Sequence, residues 1–87
     1  MRYVYQEQVL EELEKHGVHP APTTPPQLVH EFVSDLYRFE LRRLRARQVS
    51  GEISKEDYSG HVVALRKRYL LVSLPVNHWA VSQSGER

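Results

Sequence analysis

The five histidines are the residues with the most obvious chemical potential, because imidazole is a common metal ligand. His16 and His19 are close enough in the chain to chelate an ion from one loop. A structural zinc site needs about four ligands, however, and the chain has no cysteine. His30 and His61 fall on polar or boundary faces of different predicted helices. We therefore expect no metal ion and no other cofactor.

Arginines crowd the middle of the chain, and such groups hold the backbone phosphates of nucleic acids. Arg38, Arg42 and Arg45 share one predicted helix face and are the candidate nucleic-acid contacts. Glu31 and Asp35 precede them on that face, so that acids lie towards the helix start and bases towards its end, as the helix dipole prefers. Because this charge is interleaved and the net charge is only +1, nucleic-acid binding is an alternative hypothesis and not the first one.

Catalysis requires a nucleophile, a base and an orienting group that converge in a pocket. Ser34, Ser50 and Ser59 lie in helical or turn contexts without an elbow-type motif. Glu40 lies between two apolar stripes, and we expect it to pair with Arg43 or with a partner chain. A helical chain of 87 residues rarely encloses a substrate-sized pocket. We therefore predict that the protein is not an enzyme and has no small-molecule substrate.

Helices must carry these residues, and the clearest boundary is a turn at residues 50–54. Gly51 suits a left-handed position just past a helix end. Ser54 is a good N-cap, and Asp57 completes a capping box. The predicted order is a helix over residues 2–16, a proline-rich connector over 17–24, helices over 25–49 and 54–72, and an extended tail over 73–81. Residues 1–81 form a single helical domain, and residues 82–87 are expected to be a disordered tail.

The long second helix carries two apolar stripes at helical spacing. One stripe runs almost to the turn, and we expect it to pack against the returning helix. It comprises Val29, Val33, Tyr37, Leu41 and Leu44. The other stops well short of the turn and is called here the short stripe; it comprises Leu28, Phe32, Leu36 and Phe39. Either the N-terminal segment or a second copy of the protein must cover the short stripe.

Three further apolar residues could contact a partner. Trp79 lies on an apolar tail, where an indole either docks on its own bundle or anchors another protein, and we prefer the first interpretation. Val63 and Leu70 lie off the main stripe of the last helix, where they could meet the first helix or another subunit. The complete candidate protein interface is Leu28, Phe32, Leu36, Phe39, Val63, Leu70 and Trp79.

Composition sets the broad class. Hydrophobic residues make up 40% of the chain and charged residues 26%, which is ordinary for a soluble globular domain. The longest apolar run, from Tyr69 to Leu74, is far too short to span a bilayer. The N-terminus lacks the apolar core of a signal peptide. We therefore expect no membrane partner and a cytoplasmic location.

Part of the chain resembles a known family. Leu41 and Leu44 precede the turn, the run Gly-Glu-Ile-Ser-Lys-Glu-Asp-Tyr follows from Gly51, and a basic amphipathic helix ends in Tyr69-Leu70-Leu71. Over residues 41–70 this pattern is similar to the bacterial short C-terminal domain family, SHOCT. That family is a two-helix hairpin associated with oligomerisation or protein contacts. The chain departs from it in its longer first helix, its additional N-terminal helix and its tryptophan-containing tail, and we transfer no functional residue.

These observations predict an all-α protein, in which an N-terminal helix, a proline-rich connector and a long antiparallel helical hairpin close as a three-helix bundle or a dimer. The function we expect is that of a small protein-interaction or assembly module that self-associates. The partner is then a second copy or another protein. The alternatives are a nucleic-acid-binding helical protein and an accessory subunit that docks on an enzyme through Trp79.

Overall fold

The computed structural model describes residues 2–82, and the side chain of residue 82 is not among the parts described. These residues are mostly helical, which confirms the all-α class, and they also include a two-stranded sheet. Of the predicted disordered tail over residues 82–87, residue 82 is instead part of a strand, and residues 83–87 lie outside the described residues. In chain order the elements are β1 (Tyr3–Tyr5), α1 (Glu7–Glu14), α2 (Pro26–Val49), α3 (Lys55–Arg68), two 3₁₀ helices (Leu70–Ser73 and Val76–His78) and β2 (Ala80–Ser82).

The prediction of a helix from residue 2 is wrong at its start, since α1 begins only at Glu7. Tyr3–Tyr5 form β1, which pairs antiparallel with β2 so that Tyr5 lies opposite Ala80. A Tyr-Val-Tyr run favours a strand, because aromatic and β-branched side chains pack well on a pleated surface. The pairing partner comes from the far end of the described chain, and helical periodicity in the neighbouring residues concealed it.

The α2–α3 hairpin follows from local backbone chemistry. Gly51 has φ of +85°, the left-handed conformation that glycine adopts at little cost. Ser54 Oγ accepts a hydrogen bond from the Asp57 backbone N–H at 3.1 Å, which caps the first turn of α3. From there α3 returns along α2, so that the rings of Tyr69 and Tyr37 are 5.5 Å apart between centroids.

The last helix is shorter than predicted, and the tail is not simply extended. Tyr69 leaves helical geometry with φ −117° and ψ 42°, so α3 ends at Arg68 and not at residue 72. Two 3₁₀ helices then turn the chain back towards its N-terminus before β2 begins. The turn is needed because Leu71 and Trp79 both enter the core. Their burial offsets the loss of regular helical hydrogen bonds.

The core gathers residues from both ends of the described chain around the first half of α2. Its buried members are Tyr5, Val9, Leu13, Val29, Val33, Leu44, Leu65, Tyr69, Leu71 and Trp79. The molecule is elongated, with extents of 56 × 18 × 16 Å, because the hairpin tip projects beyond this core. None of the helices within residues 2–82 combines the length and the apolarity needed to cross a membrane.

Candidate protein interface

The short stripe of α2 is left largely uncovered by the rest of the described chain. Leu28, Phe32 and Phe39 are 58%, 52% and 51% exposed, whereas Leu36 is half-buried against the core. Val9 and Leu13 are buried in the core, and Leu36 is the member of this stripe that α1 borders, beside Glu12 and His16. Three large apolar side chains therefore face solvent along one side of a helix that runs through the molecule.

An apolar groove adjoins the N-terminal end of the short stripe. Its volume is about 440 Å³, and its walls come from the connector and from α2. Val18 and Pro20 form the connector side, and Leu28 and Phe32 form the helix side. The connector is held against the core by Tyr5, whose hydroxyl donates to the Thr24 carbonyl at 2.5 Å. The exposed stripe is therefore continuous with a concave apolar surface.

Of the other candidate interface residues, two are exposed and one is buried. Val63 and Leu70 are 49% and 57% exposed, so α1 does not cover them. Trp79 is fully buried. Its indole N–H donates to the Leu74 carbonyl at 3.1 Å, and its ring is tilted against His30 with 5.2 Å between centroids. Trp79 thus docks on its own bundle, as preferred from the sequence, and a partner would reach the indole only if the tail left the core.

The candidate nucleic-acid residues are all exposed on α2. Arg38 donates to the Asp35 carboxylate at 2.6 Å, an ion pair in which both side chains are more than half exposed. Arg42 and Arg45 are also exposed. Such surface ion pairs contribute little to stability, and solvent and salt screen them. The charges on this side of α2 therefore remain available to a partner.

A separate basic cavity lies between α2 and α3, and sequence reasoning did not identify it as a unit. Its volume is about 230 Å³, and its lining residues are Glu40, Arg43, Leu44, Arg47, His61, Leu65 and Arg68. Arg47 donates to Glu52 at 2.5 Å, and Arg68 lies 3.6 Å from Glu40. Because the set comes from both helices, only the hairpin register brings it together.

Glu40 was expected to pair with Arg43 or a partner chain, and this expectation is corrected. The Tyr69 hydroxyl donates a hydrogen bond to Glu40 Oε2, and Arg68 approaches the other oxygen. Arg43 lies over the Phe39 ring, 5.8 Å from its centroid, within the range of a cation–π contact. The contacts of Glu40 with Tyr69 and Arg68 thus tie α2 to the end of α3.

Tyr69 is the central residue of this connection between α2 and the end of α3. Burial, reinforced by its hydrogen bond to Glu40, raises the pKa of Tyr69 to about 12. The His16 ring stacks on the Tyr69 ring at 4.2 Å with an interplanar angle of 17°, and His16 Nε2 lies 2.9 Å from the Arg68 carbonyl oxygen. At neutral pH the phenol is a protonated donor. The cluster is therefore suited to joining three segments and not to proton abstraction.

His16 and His30 contact different parts of the chain. His16 contacts Tyr69, whereas His30 Nε2 lies 3.2 Å from the Val72 carbonyl oxygen. Within residues 2–82, no three side chains of the His, Cys, Asp and Glu types are grouped so as to hold a metal ion.

No family model, no curated protein and no solved structure shows significant similarity to the chain.

Proposed function

We propose that the protein is a small interaction or assembly module that self-associates through the short stripe of α2. The observation that carries this proposal is the row of three half-exposed apolar side chains, Leu28, Phe32 and Phe39. Contiguous exposed apolar patches mark interaction sites more often than isolated ones do. The resemblance of residues 41–70 to a hairpin family associated with oligomerisation is in line with it.

The size of the stripe supports reversible association. An aromatic side chain carries roughly 150–250 Å² of surface. Half-exposed Phe32 and Phe39 therefore present about 100 Å² each, and with Leu28 the total is about 300 Å² per copy. The stripes of two copies together bury only about 600 Å², which is below the roughly 1,200–2,000 Å² of a stable protein–protein interface. The net affinity is therefore modest and the oligomer dissociates on dilution.

A second copy is the occupant that the surface chemistry favours. The stripe is bordered by both signs of charge, with Glu31 and Asp35 before Arg38 and Arg42 along the helix. A surface with acids at one end and bases at the other is complementary to itself when it is reversed. A partner of a single charge sign would match only half of this border.

The test is molar mass in solution, measured by light scattering after size exclusion over a range of loading concentrations. We expect the wild-type mass to rise with concentration towards that of a dimer. The double variant Phe32→Ala, Phe39→Ala removes about two thirds of the apolar area and should remain monomeric. Val49→Ala is the matched control, because Val49 is 74% exposed on the same helix but lies outside the short stripe. A wild-type protein that is monomeric at every concentration would contradict the proposal.

A second candidate function is the binding of nucleic-acid phosphates. The observation in its favour is the basic cavity, where Arg43, Arg47 and Arg68 surround one small space with a single carboxylate, Glu40. The volume of about 230 Å³ lies below the range of roughly 300–1,000 Å³ that small-molecule sites occupy. The cavity therefore suits a phosphate group better than a whole ligand.

This alternative predicts salt-dependent retention on duplex DNA or RNA. Two double variants of equal charge separate the surfaces: Arg42→Ala with Arg45→Ala, and Arg43→Ala with Arg47→Ala. Each lost phosphate contact should reduce the slope of log affinity against log salt by about one unit. Retention that both variants leave unchanged would exclude these arginines as the binding surface.

A further inference from the structure

We infer that the second copy lies antiparallel on α2, with the two-fold axis passing close to Leu36. This inference rests on the proposed self-association and adds to it the orientation and the register. Its basis is the spacing of apolar and charged residues about one point of the helix.

The apolar residues are placed symmetrically about that point. Phe32 and Phe39 lie about two helical turns apart, and Leu36 lies between them on the same face. When a second helix runs in the opposite direction with the axis at Leu36, Phe32 of each copy lies opposite Phe39 of the other. Leu36 lies at the edge of the stripe nearest the core, where it is half-buried in its own chain. The two exposed rings of the stripe thus each have an apolar partner.

The charged residues along one edge of the stripe are symmetric about a point one residue further along the helix. Glu31, Asp35, Arg38 and Arg42 project from one side of the short stripe on an α-helix. A two-fold axis perpendicular to both helices brings this edge of one copy against the same edge of the other. Glu31 and Arg42 are equally distant from the point midway between Leu36 and Tyr37, and so are Asp35 and Arg38. Each acid therefore faces a base of the second copy.

The ion pair on the charged edge does not oppose this arrangement. Arg38 pairs with Asp35 in its own chain, but the side chains are 63% and 74% exposed, so the pair contributes little and can be shared. The four charges that each copy places on this edge resemble the flanking charges that set orientation in coiled coils. In a parallel pair this edge would instead face the opposite edge of the stripe, where Leu36 lies, and the acids and bases would lose their matched partners.

The groove beside the connector supports the same register. It lies at the level of Leu28 and Phe32, and Val18 and Pro20 form its outer wall. In the antiparallel pair the nearest ring of the second copy is that of Phe39. An apolar groove of about 440 Å³ is large enough to accept one phenyl ring. Each copy thus offers both a groove and a ring to fill it.

Disulfide trapping tests the orientation directly, because the chain has no cysteine of its own. Glu31→Cys and Arg42→Cys are prepared as separate single variants, mixed, oxidised and resolved by intact mass. A disulfide needs Cα atoms within about 7 Å. In the antiparallel register the two different positions are opposite each other, whereas two copies of position 31 are about 16 Å apart along the axis at 1.5 Å per residue. We expect the mixed disulfide in the mixture and no self-disulfide from either variant alone.

Charge reversal tests the electrostatic pairing. Arg38→Glu with Arg42→Glu makes the edge acidic, and Glu31→Arg with Asp35→Arg makes it basic. Each variant alone should associate at least about tenfold more weakly than wild type in low salt, and the equimolar mixture should recover most of that loss. Recovery in the mixture also shows that both variants are folded.

The outcomes separate this inference from the proposed function. If the wild type self-associates but the cysteine variants form self-disulfides, or if reversed charges change nothing, the antiparallel register is wrong and the assembly proposal stands. If the wild type never associates, both the assembly proposal and the antiparallel register are wrong.

Discussion

Replacing Trp79 by alanine should remove a large part of the stability of the fold. Its side chain is fully buried, and the indole N–H is satisfied by the Leu74 carbonyl at 3.1 Å. Replacing a buried tryptophan by alanine costs about 3–5 kcal/mol. A domain of this size has roughly 5–15 kcal/mol in total. At about 4–8 °C per kcal/mol, the midpoint of thermal unfolding should fall by at least about 12 °C.

The assay is urea and thermal unfolding followed by far-ultraviolet circular dichroism, since Trp79 is the only tryptophan and its fluorescence disappears with the substitution. The protein concentration is set where light scattering shows a monomer, so that association does not contribute. Trp79→Phe retains an aromatic ring and should lose only about 1–2 kcal/mol. Val81→Ala alters an exposed strand residue two positions away and should change stability by no more than about 0.5 kcal/mol.

Equal unfolding midpoints for wild type and Trp79→Ala would refute the reasoning, because they would mean that the indole is not packed in the core. The same experiment addresses docking on an enzyme through this tail. That hypothesis requires a chain truncated before Leu74 to keep its fold. The burial of Trp79 predicts instead that truncation destabilises the protein at least as much as the alanine substitution does.

Two further predictions concern backbone geometry and pH. Gly51→Ala should lower the free energy of unfolding by about 1–2 kcal/mol, because φ at this position is +85°. Gly60 lies inside α3 with no atom near the added methyl group, so Gly60→Ala should raise the free energy of unfolding by about 0.5–1 kcal/mol. Paired urea titrations measure both changes. The raised pKa of about 12 for Tyr69 means that the folded state holds this proton more tightly than the unfolded chain. Stability should therefore fall as pH rises from about 10 to 12, with a smaller contribution from buried Tyr5, whose pKa is also raised. Tyr69→Phe should remove most of this fall in alkaline unfolding curves, and a curve unchanged from wild type would exclude Tyr69 as the group responsible.

The hairpin turn shows what local sequence can reveal. Gly51 and the Ser54–Asp57 cap act within a few residues of one another, so the turn can be recognised without knowledge of the rest of the chain. The order of the helices and the composition of the short stripe follow in the same way, from helical spacing alone. Both the turn and the candidate interface residues of α2 could therefore be named from the sequence.

Contacts between distant residues could not be anticipated in this way. Glu40 was expected to find Arg43, its neighbour one turn along, and instead accepts from Tyr69 on the returning segment. The pairing depends on the rotation of α3 against α2, because a shift of one residue would point the Tyr69 side chain away from Glu40. The basic cavity is missed for the same reason, because its arginines come from both helices.

Periodicity established that α2 has two apolar faces, because the 3.6-residue repeat is a property of the local backbone. It could not show which face the chain itself would cover. That outcome depended on where β1, α1 and the tail packed, and these segments meet through strand pairing and the burial of Trp79 across nearly the whole length of the described chain. Such contacts are governed by shape and burial between distant segments, and they leave Leu28, Phe32 and Phe39 exposed.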